Sequence, residues 1–309
     1  MEYEGQICRA PMERGAFMLP VSVGCCYNRC KFCTLFKHLS YRILPISQVE
    51  AELHRVRDMG GNPKTVFLGD GSAFQLPYDH LVEILTRIRA CFPECRRVHM
   101  DATVTSIAQK SDAQLKELAD LGVKRLYLGV ETGLDDVLAF MDKDHNSAEA
   151  KAQIARIQAV GMEYAAHIMT GIAGAGRGEE NARATAAFLN ETKPVSVTNF
   201  SLFLHTEAPL YRCVEAGTFR PADEAENLQE ARLLTELLED TVLDSFHDFV
   251  LLRIRGSLPK DRQRMLKQFD EAIAKQQGKE PVYSIVCTTC GQAEMRDLVQ
   301  EGVSRGNGH

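Results

Sequence analysis

The sequence predicts an α/β fold, a partial (β/α)6 TIM-like barrel with a C-terminal helical extension. Six apolar, strand-like runs alternate with helical patterns along the chain. Each strand–helix unit takes roughly 30 to 45 residues, the length needed to join parallel strands through a crossover helix. Glycine-rich or polar segments follow several strands, where parallel sheets bind their ligands. A closed eight-unit barrel would require more strands than these six.

The predicted strands are apolar runs separated by the helical patterns. They are Phe17–Val23, Thr65–Leu68, Arg97–Ala102, Arg125–Val130, Tyr164–Met169 and Val197–Leu204.

The helices between the strands carry start and stop signals. Ser47 with Glu50 fits a capping box, in which each side chain bonds the backbone at the other's position. Ser111 precedes a helix with a periodic apolar face. Gly60 and Gly122 stand where helices should end, because glycine adopts the left-handed conformation that closes a helix.

The pattern changes after the sixth strand. Ala225–Phe249 and Pro259–Gln277 are charged and predict long helices. We therefore predict a core barrel at residues 1–210, a helical extension packed on it at 211–280 and a Cys-containing tail at 281–309. Cys287 and Cys290 in this tail form a CxxC pair, which is compatible with a second metal site, a redox pair or two reduced thiols.

Composition limits the classes of function. The chain has 309 residues and a net charge of −6, so a protein that mainly coats nucleic acid is not expected. No apolar run approaches the roughly 20 residues that span a bilayer, and Met1–Pro11 lacks the layout of a secretory signal. Ten cysteines in such a chain indicate metal ligation or packing rather than disulfides. We predict a cytoplasmic protein.

Cys26, Cys30 and Cys33 form a CxxxCxxC triplet directly after the first strand. Three thiolates at this spacing can hold three corners of an iron–sulfur cube. Such clusters normally have four Cys ligands, so a trio leaves one iron open to a small molecule. The alternative is a zinc site, but structural zinc requires four ligands, and no partner pair is near in sequence.

Other motifs follow neighbouring strands. A Gly-Asp-Gly-Ser turn begins at Gly69, Glu131 follows the fourth strand, and the segment Gly171-Ile172-Ala173-Gly174 follows the fifth. The carboxyl ends of parallel strands share one rim, so we expect these motifs and the cysteine triplet to lie there together.

The triplet and its context resemble the radical S-adenosylmethionine (SAM) superfamily from about Phe17 to Leu210. Phe32 also matches, since the family usually places an aromatic residue before its third cysteine. Leu126–Glu131 followed by Lys143 resembles the branch that contains oxygen-independent coproporphyrinogen dehydrogenase and the elongator catalytic subunit. The resemblance implies two cofactors, a [4Fe–4S] cluster and SAM.

The resemblance also implies SAM contacts after the second strand. Gly69, Asp70 and Gly71, followed by Ser72, occupy the place of the family's Gly-Gly-Glu motif, which lies along the SAM amino group. This chain departs from the motif by placing Asp70 in the middle, so a different atom is expected to contact that group.

Further contacts are implied on later strands. Glu131 is placed to accept hydrogen bonds from the ribose or amino group, and Lys143 resembles the residue that pairs with the SAM carboxylate. The backbone of Phe32 and Ile172 would hold the adenine. His167 stands where relatives often place a polar group that binds the ribose.

The activity implied by the resemblance is reductive cleavage of SAM to a 5′-deoxyadenosyl radical, which abstracts hydrogen from an unidentified, small-molecule substrate. The implied partner is an electron donor of the flavodoxin or ferredoxin type; membrane and nucleic-acid partners are not expected. Two alternatives remain: a haem-binding chaperone that keeps these motifs without turnover, and a zinc-binding interaction module.

Overall fold

The computed structural model describes residues 9–286, and these contain a mostly parallel eight-stranded sheet. The strands of the described residues are β1 (Phe17–Pro20), β2 (Ser22–Val23), β3 (Arg42–Ile43), β4 (Thr65–Gly69), β5 (Arg97–Ala102), β6 (Val123–Glu131), β7 (Glu163–Thr170), β8 (Ser196–Ser201), β9 (Leu204–His205), β10 (Thr241–His247), β11 (Leu252–Leu258) and β12 (Ile285–Val286).

Helices separate most of these strands. They are α1 (Ile46–Asp58), α2 (Tyr78–Cys91), α3 (Val104–Ala108), α4 (Asp112–Asp120), α5 (Asp135–Phe140), α6 (Ser147–Ala159), α7 (Gly178–Thr192), α8 (Pro209–Glu215), α9 (Glu224–Leu237) and α10 (Arg262–Gln276). Cys8, Cys287 and Cys290 lie outside the described residues.

The ladder registers confirm the predicted parallel arrangement. Phe17 of β1 pairs with Val66 of β4 in a parallel ladder, and β4 and β5 pair in the same sense. Within the strand order β1-β4-β5-β6-β7-β8-β10-β11, β10 runs parallel to β8, and β11 at the sheet edge is antiparallel to β10. Each of the six predicted strands is present, and the mostly parallel sheet is consistent with a partial TIM-like barrel.

Two helix-end predictions have different outcomes. The Ser111 hydroxyl accepts the Gln114 N–H at 3.2 Å, and the Gln114 side chain accepts the Ser111 N–H at 2.9 Å, so α4 begins with a capping box. The box predicted at Ser47 is wrong, because α1 already begins at Ile46, with Pro45 as its N-cap.

The helix predicted over Ala225–Phe249 is also wrong in its second half. Helix α9 ends at Leu237, and the chain continues into β10 and then β11, which form an antiparallel hairpin. Five of the seven residues of β10 are buried, on both faces of the strand. The strand therefore lacks the clean polar–apolar alternation by which a half-buried strand is recognised.

The described chain divides into two compact units, and the first comprises residues 9–28, 35–129 and 148–165. Its sheet face packs Phe67 against Tyr127 within an apolar cluster. A buried polar group adjoins the cluster: Glu13 accepts the Tyr127 hydroxyl at 2.5 Å, and its carboxylate lies 2.7 Å from His99 Nδ1. Burial opposes ionisation here, but the bonds to His99 and Tyr127 outweigh it and lower the pKa of Glu13.

The second unit comprises residues 29–34, 130–147 and 166–286. Helices α7, α9 and α10 pack together on one face of its strands. Between helix and sheet lies a buried polar network, in which Asn199 Nδ2 donates to Ser245 Oγ at 2.8 Å and His247 lies within 3.0 Å of Ser245 and Ser201. Buried polar groups require such partners, since each unmade bond costs about 1–3 kcal/mol.

Of the described helices, none is both long and apolar enough to cross a bilayer.

Candidate active site

The Gly-Asp-Gly-Ser turn of the first unit is packed against the backbone that leads into the cysteine loop. Gly71 has a φ of +45°, and a Cβ at this position would lie 2.3 Å from Gly24 O and 2.9 Å from Cys25 Cα. Ser22 Oγ donates to Asp70 O at 3.3 Å, which ties the turn to β2. Gly71 is therefore required by the close approach of two protein segments, whatever ligand lies beside it.

Two carboxyl groups lie at the ends of adjacent strands in this unit. The Asp70 side chain accepts the N–H of Gly71 at 2.9 Å and is buried. Asp101, near the end of β5, is an acid whose pKa is raised to about 8, first by burial and then by the charge of Asp70. Asp101 thus holds a proton at neutral pH and can donate a hydrogen bond.

A buried lysine anchors the segment after the turn. Lys110 Nζ donates to Phe74 O at 2.6 Å and to Ser106 O at 3.4 Å, and it lies 4.5 Å from the centre of the Phe74 ring. Burial lowers its pKa to about 8, while the neighbouring charge of Cys26 acts the other way. Sequence reasoning missed Lys110, since no local pattern distinguishes it from the other lysines of the chain.

Cys26 is half-buried in the same unit, beside Cys25. A hydrogen bond with the Cys25 thiol, and then burial, raise the pKa of Cys26, whereas the buried hydroxyl of Ser72 acts in the opposite direction. Metal ligation by this thiol therefore requires the loss of a proton.

The other two triplet cysteines lie in the second unit, on a loop held from both sides. Lys31 N–H donates to Met141 O at 3.0 Å, and Lys31 O accepts the Leu210 N–H at 2.9 Å. Cys30 and Cys33 are half-buried and pack on the apolar cluster that contains Phe32 and Ile172. The two residues predicted to hold the adenine thus share one cluster with two triplet cysteines.

Glu131 and Lys143 form a buried ion pair in the second unit. Lys143 Nζ lies 3.0 Å from Glu131 Oε1, and each side chain is only 8% exposed. Although burial alone would lower it, the charge of Glu131 and then that of Cys30 raise the pKa of Lys143. The ammonium also lies 6.0 Å from the centre of the Phe32 ring. Glu131 has a φ of +63°, an uncommon conformation for a residue other than glycine and typical of functional sites.

His167 is electrostatically linked to this pair. Burial lowers the pKa of His167, with Glu131 opposing and Lys143 reinforcing the shift. The imidazole is therefore neutral at pH 7, as a residue that hydrogen-bonds a ribose would be.

The loop after β7 is anchored by a buried acid that sequence reasoning missed. Gly171 N–H donates to Glu230 Oε2 at 2.9 Å, and Asn181 Nδ2 donates to Glu230 Oε1 at 2.6 Å. Burial raises the pKa of Glu230 to about 8. The available signal was the spacing of Glu224, Asn227 and Glu230, which places three polar residues along one face of α9.

Each unit thus collects part of the predicted site. Within the first, Cys26 lies with the Gly69–Ser72 turn; within the second, Cys30, Cys33, Phe32 and Ile172 lie with the Glu131–Lys143 pair and His167. Among residues 9–286, no three His, Cys, Asp or Glu side chains surround a position suited to one metal ion. A cubic cluster distributes its cysteine ligands over separate irons, so it does not need such convergence.

The parallel sheet and the loops at the carboxyl ends of its strands define a cofactor-binding α/β protein. The chain belongs to the radical SAM superfamily, whose sequence model matches residues 20–188. The cofactors of this family are a [4Fe–4S] cluster and SAM, as the sequence predicts.

One curated relative matches most of this chain at low sequence identity. The heme chaperone HemW of Bacillus subtilis (strain 168) is 23% identical over 232 residues, which are 72% of this chain and 59% of HemW. The chain therefore spans about three fifths of that relative's length.

Two solved structures show the same architecture. Elp3 of Methanocaldococcus infernus, lacking its N-terminus, has a TM-score of 0.53 at 13% identity, over 85% of this chain and 63% of Elp3. Coproporphyrinogen III oxidase (HemN) of Escherichia coli has a TM-score of 0.51 at 14% identity, over 86% of this chain and 70% of HemN. At these identities the likeness concerns the fold alone.

The residues present fit the two cofactors. Thiolates are the usual ligands of iron–sulfur clusters, and two of the three triplet cysteines, Cys30 and Cys33, pack against a buried apolar cluster. SAM carries a carboxylate, an ammonium and ribose hydroxyls, and the buried Lys143 and Glu131 are complementary in charge and hydrogen bonding to these groups.

Proposed function

We propose that this protein binds SAM at a [4Fe–4S] cluster held by Cys26, Cys30 and Cys33 and acts on a small-molecule substrate. When bound, the two cofactors would supply reductive cleavage of SAM and a 5′-deoxyadenosyl radical that abstracts hydrogen from that substrate. The membership of the superfamily supports the general mechanism.

The observation that carries the proposal is the buried Glu131–Lys143 pair beside Phe32. A buried charge is costly unless it is paired, and here each group neutralises the other. Lys143 would bind the SAM carboxylate, and Glu131 would accept a hydrogen bond from the ribose or amino group. Because Glu131 and Lys143 already hold each other in place within one unit, SAM would bind side chains that are ordered before it arrives.

Other residues would complete SAM binding. The Gly69–Ser72 turn would face the amino group through Asp70 or the backbone, and His167 would bind the ribose as a neutral imidazole. The backbone at Phe32 and Ile172 would hold the adenine, with Glu230 fixing the Gly171 N–H behind it.

An electron donor of the flavodoxin or ferredoxin type would reduce the cluster. Such donors, and the reducing conditions that keep the cysteines as thiols, are found in the cytoplasm, where we propose that the protein acts.

The test is anaerobic incubation of the reconstituted protein with SAM and dithionite, followed by mass spectrometry for 5′-deoxyadenosine. Release is expected from the wild type and from Cys91→Ala, a control that removes a half-buried cysteine at the end of α2. No release is expected from Cys30→Ala. Wild-type rates in Cys30→Ala would refute the ligand assignment. In a separate experiment, addition of cell extract to the active wild-type protein would identify the molecule that changes.

A haem chaperone is the second candidate, and the match to HemW favours it. This function predicts that hemin binds at one equivalent with a new Soret band, and that reduction with SAM releases no 5′-deoxyadenosine. Turnover without hemin binding would exclude it.

A further inference from the structure

Four side chains form a continuous row across four adjacent strands of the second unit. His167 of β7 meets Phe200 of β8 edge-on at 6.3 Å, and Phe200 stacks on Phe246 of β10 at 5.2 Å with an interplanar angle of 20°. The Arg253 guanidinium of β11 lies 4.5 Å above the Phe246 ring. We call this set the aromatic row.

The row is a consequence of register and not of one flexible loop. Phe246 pairs with Phe200 in the parallel β8–β10 ladder and with Arg253 in the antiparallel β10–β11 ladder. Phe200 and Phe246 lie near the carboxyl ends of their strands, where proteins of this architecture bind substrates. His167 joins the row to the Glu131–Lys143 pair, whose charges act on its pKa.

Two more rings flank the row just after the strands. Phe203 is 6.3 Å from Phe200, and Phe249 is 5.8 Å from Phe203, both in tilted arrangements. The four phenylalanines are half-buried, although burying a Phe side chain completely would stabilise the fold by about 1.5–3 kcal/mol. Four partly exposed rings at the strand ends are therefore available to contact a ligand.

Ring orientation indicates the shape of that ligand. Phe200 and Phe246 stack face to face, and Arg253 lies over the Phe246 ring. The faces of these rings are therefore occupied by protein groups, and the ring edges are the parts that a ligand would contact. Aromatic edges carry partial positive charge and favour the negative face of another π-system. A flat, conjugated molecule would gain these edge-to-face contacts, whereas a saturated chain of equal area would not.

The charges at the end of the row indicate a second feature. Arg253 binds the fully buried Asp244 through two hydrogen bonds, of 2.6 and 2.8 Å. Arg255 is 3.9 Å from the same carboxylate and remains 56% exposed. Two guanidinium groups thus accompany one carboxylate, and an anionic group on the ligand would complement the excess positive charge.

We infer that the aromatic row binds a flat, conjugated ligand that carries a carboxylate or similar anion, with its π-system on Phe200 and Phe246 and its anion at Arg255. The assignment of this ligand as the substrate of the proposed SAM-dependent reaction rests on the proposed function. The binding itself requires neither the cluster nor SAM.

The test uses 1-pyrenebutyrate as the probe, because it is flat, anionic and fluorescent, and the chain contains no Trp to interfere. Pyrenemethanol lacks the charge and decanoate lacks the rings, so each removes one feature. Pyrenebutyrate should bind the full chain more tightly than pyrenemethanol, and decanoate should not displace it.

Variants connect binding to the row. Phe246→Leu keeps an apolar side chain but loses the ring, and it should raise the Kd of pyrenebutyrate by about threefold to tenfold. Arg255→Gln should weaken pyrenebutyrate and leave pyrenemethanol unchanged. The control Phe17→Leu removes the ring of Phe17 on β1, which meets Phe92, and should not change the affinity for either probe.

Three results would overturn the inference: displacement by decanoate, unchanged affinity in both Phe246→Leu and Arg255→Gln, or binding that arises only when residues 287–309 are deleted. The last would mean that the tail, rather than a ligand, occupies the row. Wild-type protein that binds pyrenebutyrate as expected but releases no 5′-deoxyadenosine would instead refute the proposed function alone.

Discussion

Replacing Lys143 by Met tests the buried ion pair. The substitution removes the ammonium that lies 3.0 Å from Glu131 Oε1 and keeps a side chain of similar length. The Glu131 carboxylate is only 8% exposed on its side chain and would lose this partner. Breaking a buried pair in this way costs about 3–5 kcal/mol, because one charge is left uncompensated.

The cost converts into a measurable change in melting temperature. An unfolding entropy of about 2.1 cal/mol/K per residue over 309 residues gives about 0.65 kcal/mol/K. Lys143→Met should therefore lower the Tm by about 5–8 °C. Differential scanning calorimetry of the anaerobic protein, with and without SAM, measures this change, and the stabilisation that SAM gives the wild type should be lost in the variant.

The double variant Lys143→Met/Glu131→Gln distinguishes the cost of an unpaired buried charge from the cost of replacing the Lys143 side chain. It removes both charges, so most of the lost stability should return, while SAM binding should stay weak. An unchanged Tm in Lys143→Met, or full SAM stabilisation in that variant, would refute the reasoning. Iron content should be unaffected throughout, since neither residue is a thiol.

Two further predictions address the segments that support the site. Gly71→Ala should lower both the stability of the protein and its iron loading, because the added Cβ would overlap Gly24 O. The control Gly60→Ala, at φ +80° with no atom within 4 Å of the added Cβ, should cost only about 1–2 kcal/mol of stability and leave iron loading intact. Equal iron loading in the two variants would contradict this prediction. Glu230 keeps its proton in the folded state up to about pH 8 but loses it near pH 4.3 when unfolded, so stability should fall between these values as pH rises. Urea unfolding at pH 5 and 8 should show that the free energy of unfolding of the wild type falls by an amount on the order of a few kcal/mol, and that this fall is absent in Glu230→Gln. The same pH dependence in both proteins would show that Glu230 is not the group responsible.

The strands were predictable because each is a compact apolar run between turn residues. The predicted Arg97–Ala102 coincides with β5, and three other runs differ from the observed strands by one or two residues at their ends. The first and sixth predicted runs each cover two observed strands, β1 with β2 and β8 with part of β9. Strand β10 escaped prediction because it is buried on both faces and directly follows a charged helix, so it lacks the polar–apolar alternation of a half-buried strand.

The site was predictable where a motif is local and hidden where it depends on packing. The cysteine triplet spans eight residues, and its spacing alone indicates a cluster. Glu131 and Lys143 were each predicted as SAM contacts, but their mutual bond is a feature of the fold. Glu230 reaches Gly171 across 59 positions, a separation at which sequence periodicity carries no information.

The two central rings of the aromatic row share a sequence signal. Phe200-Ser201-Leu202-Phe203 and Phe246-His247-Asp248-Phe249 repeat the same F-x-x-F spacing at the ends of β8 and β10. Because the second copy lies inside the region that the sequence predicts as helix, sequence periodicity does not identify the two copies as equivalent strand ends.

The most direct test of the account is electron paramagnetic resonance of the reduced, anaerobic protein before and after addition of SAM. We expect the signal of a reduced [4Fe–4S] cluster, with about four irons per chain, and a changed spectrum when SAM binds the iron that no cysteine holds. A chain without this cluster, or a spectrum that SAM leaves unaltered, would contradict the account.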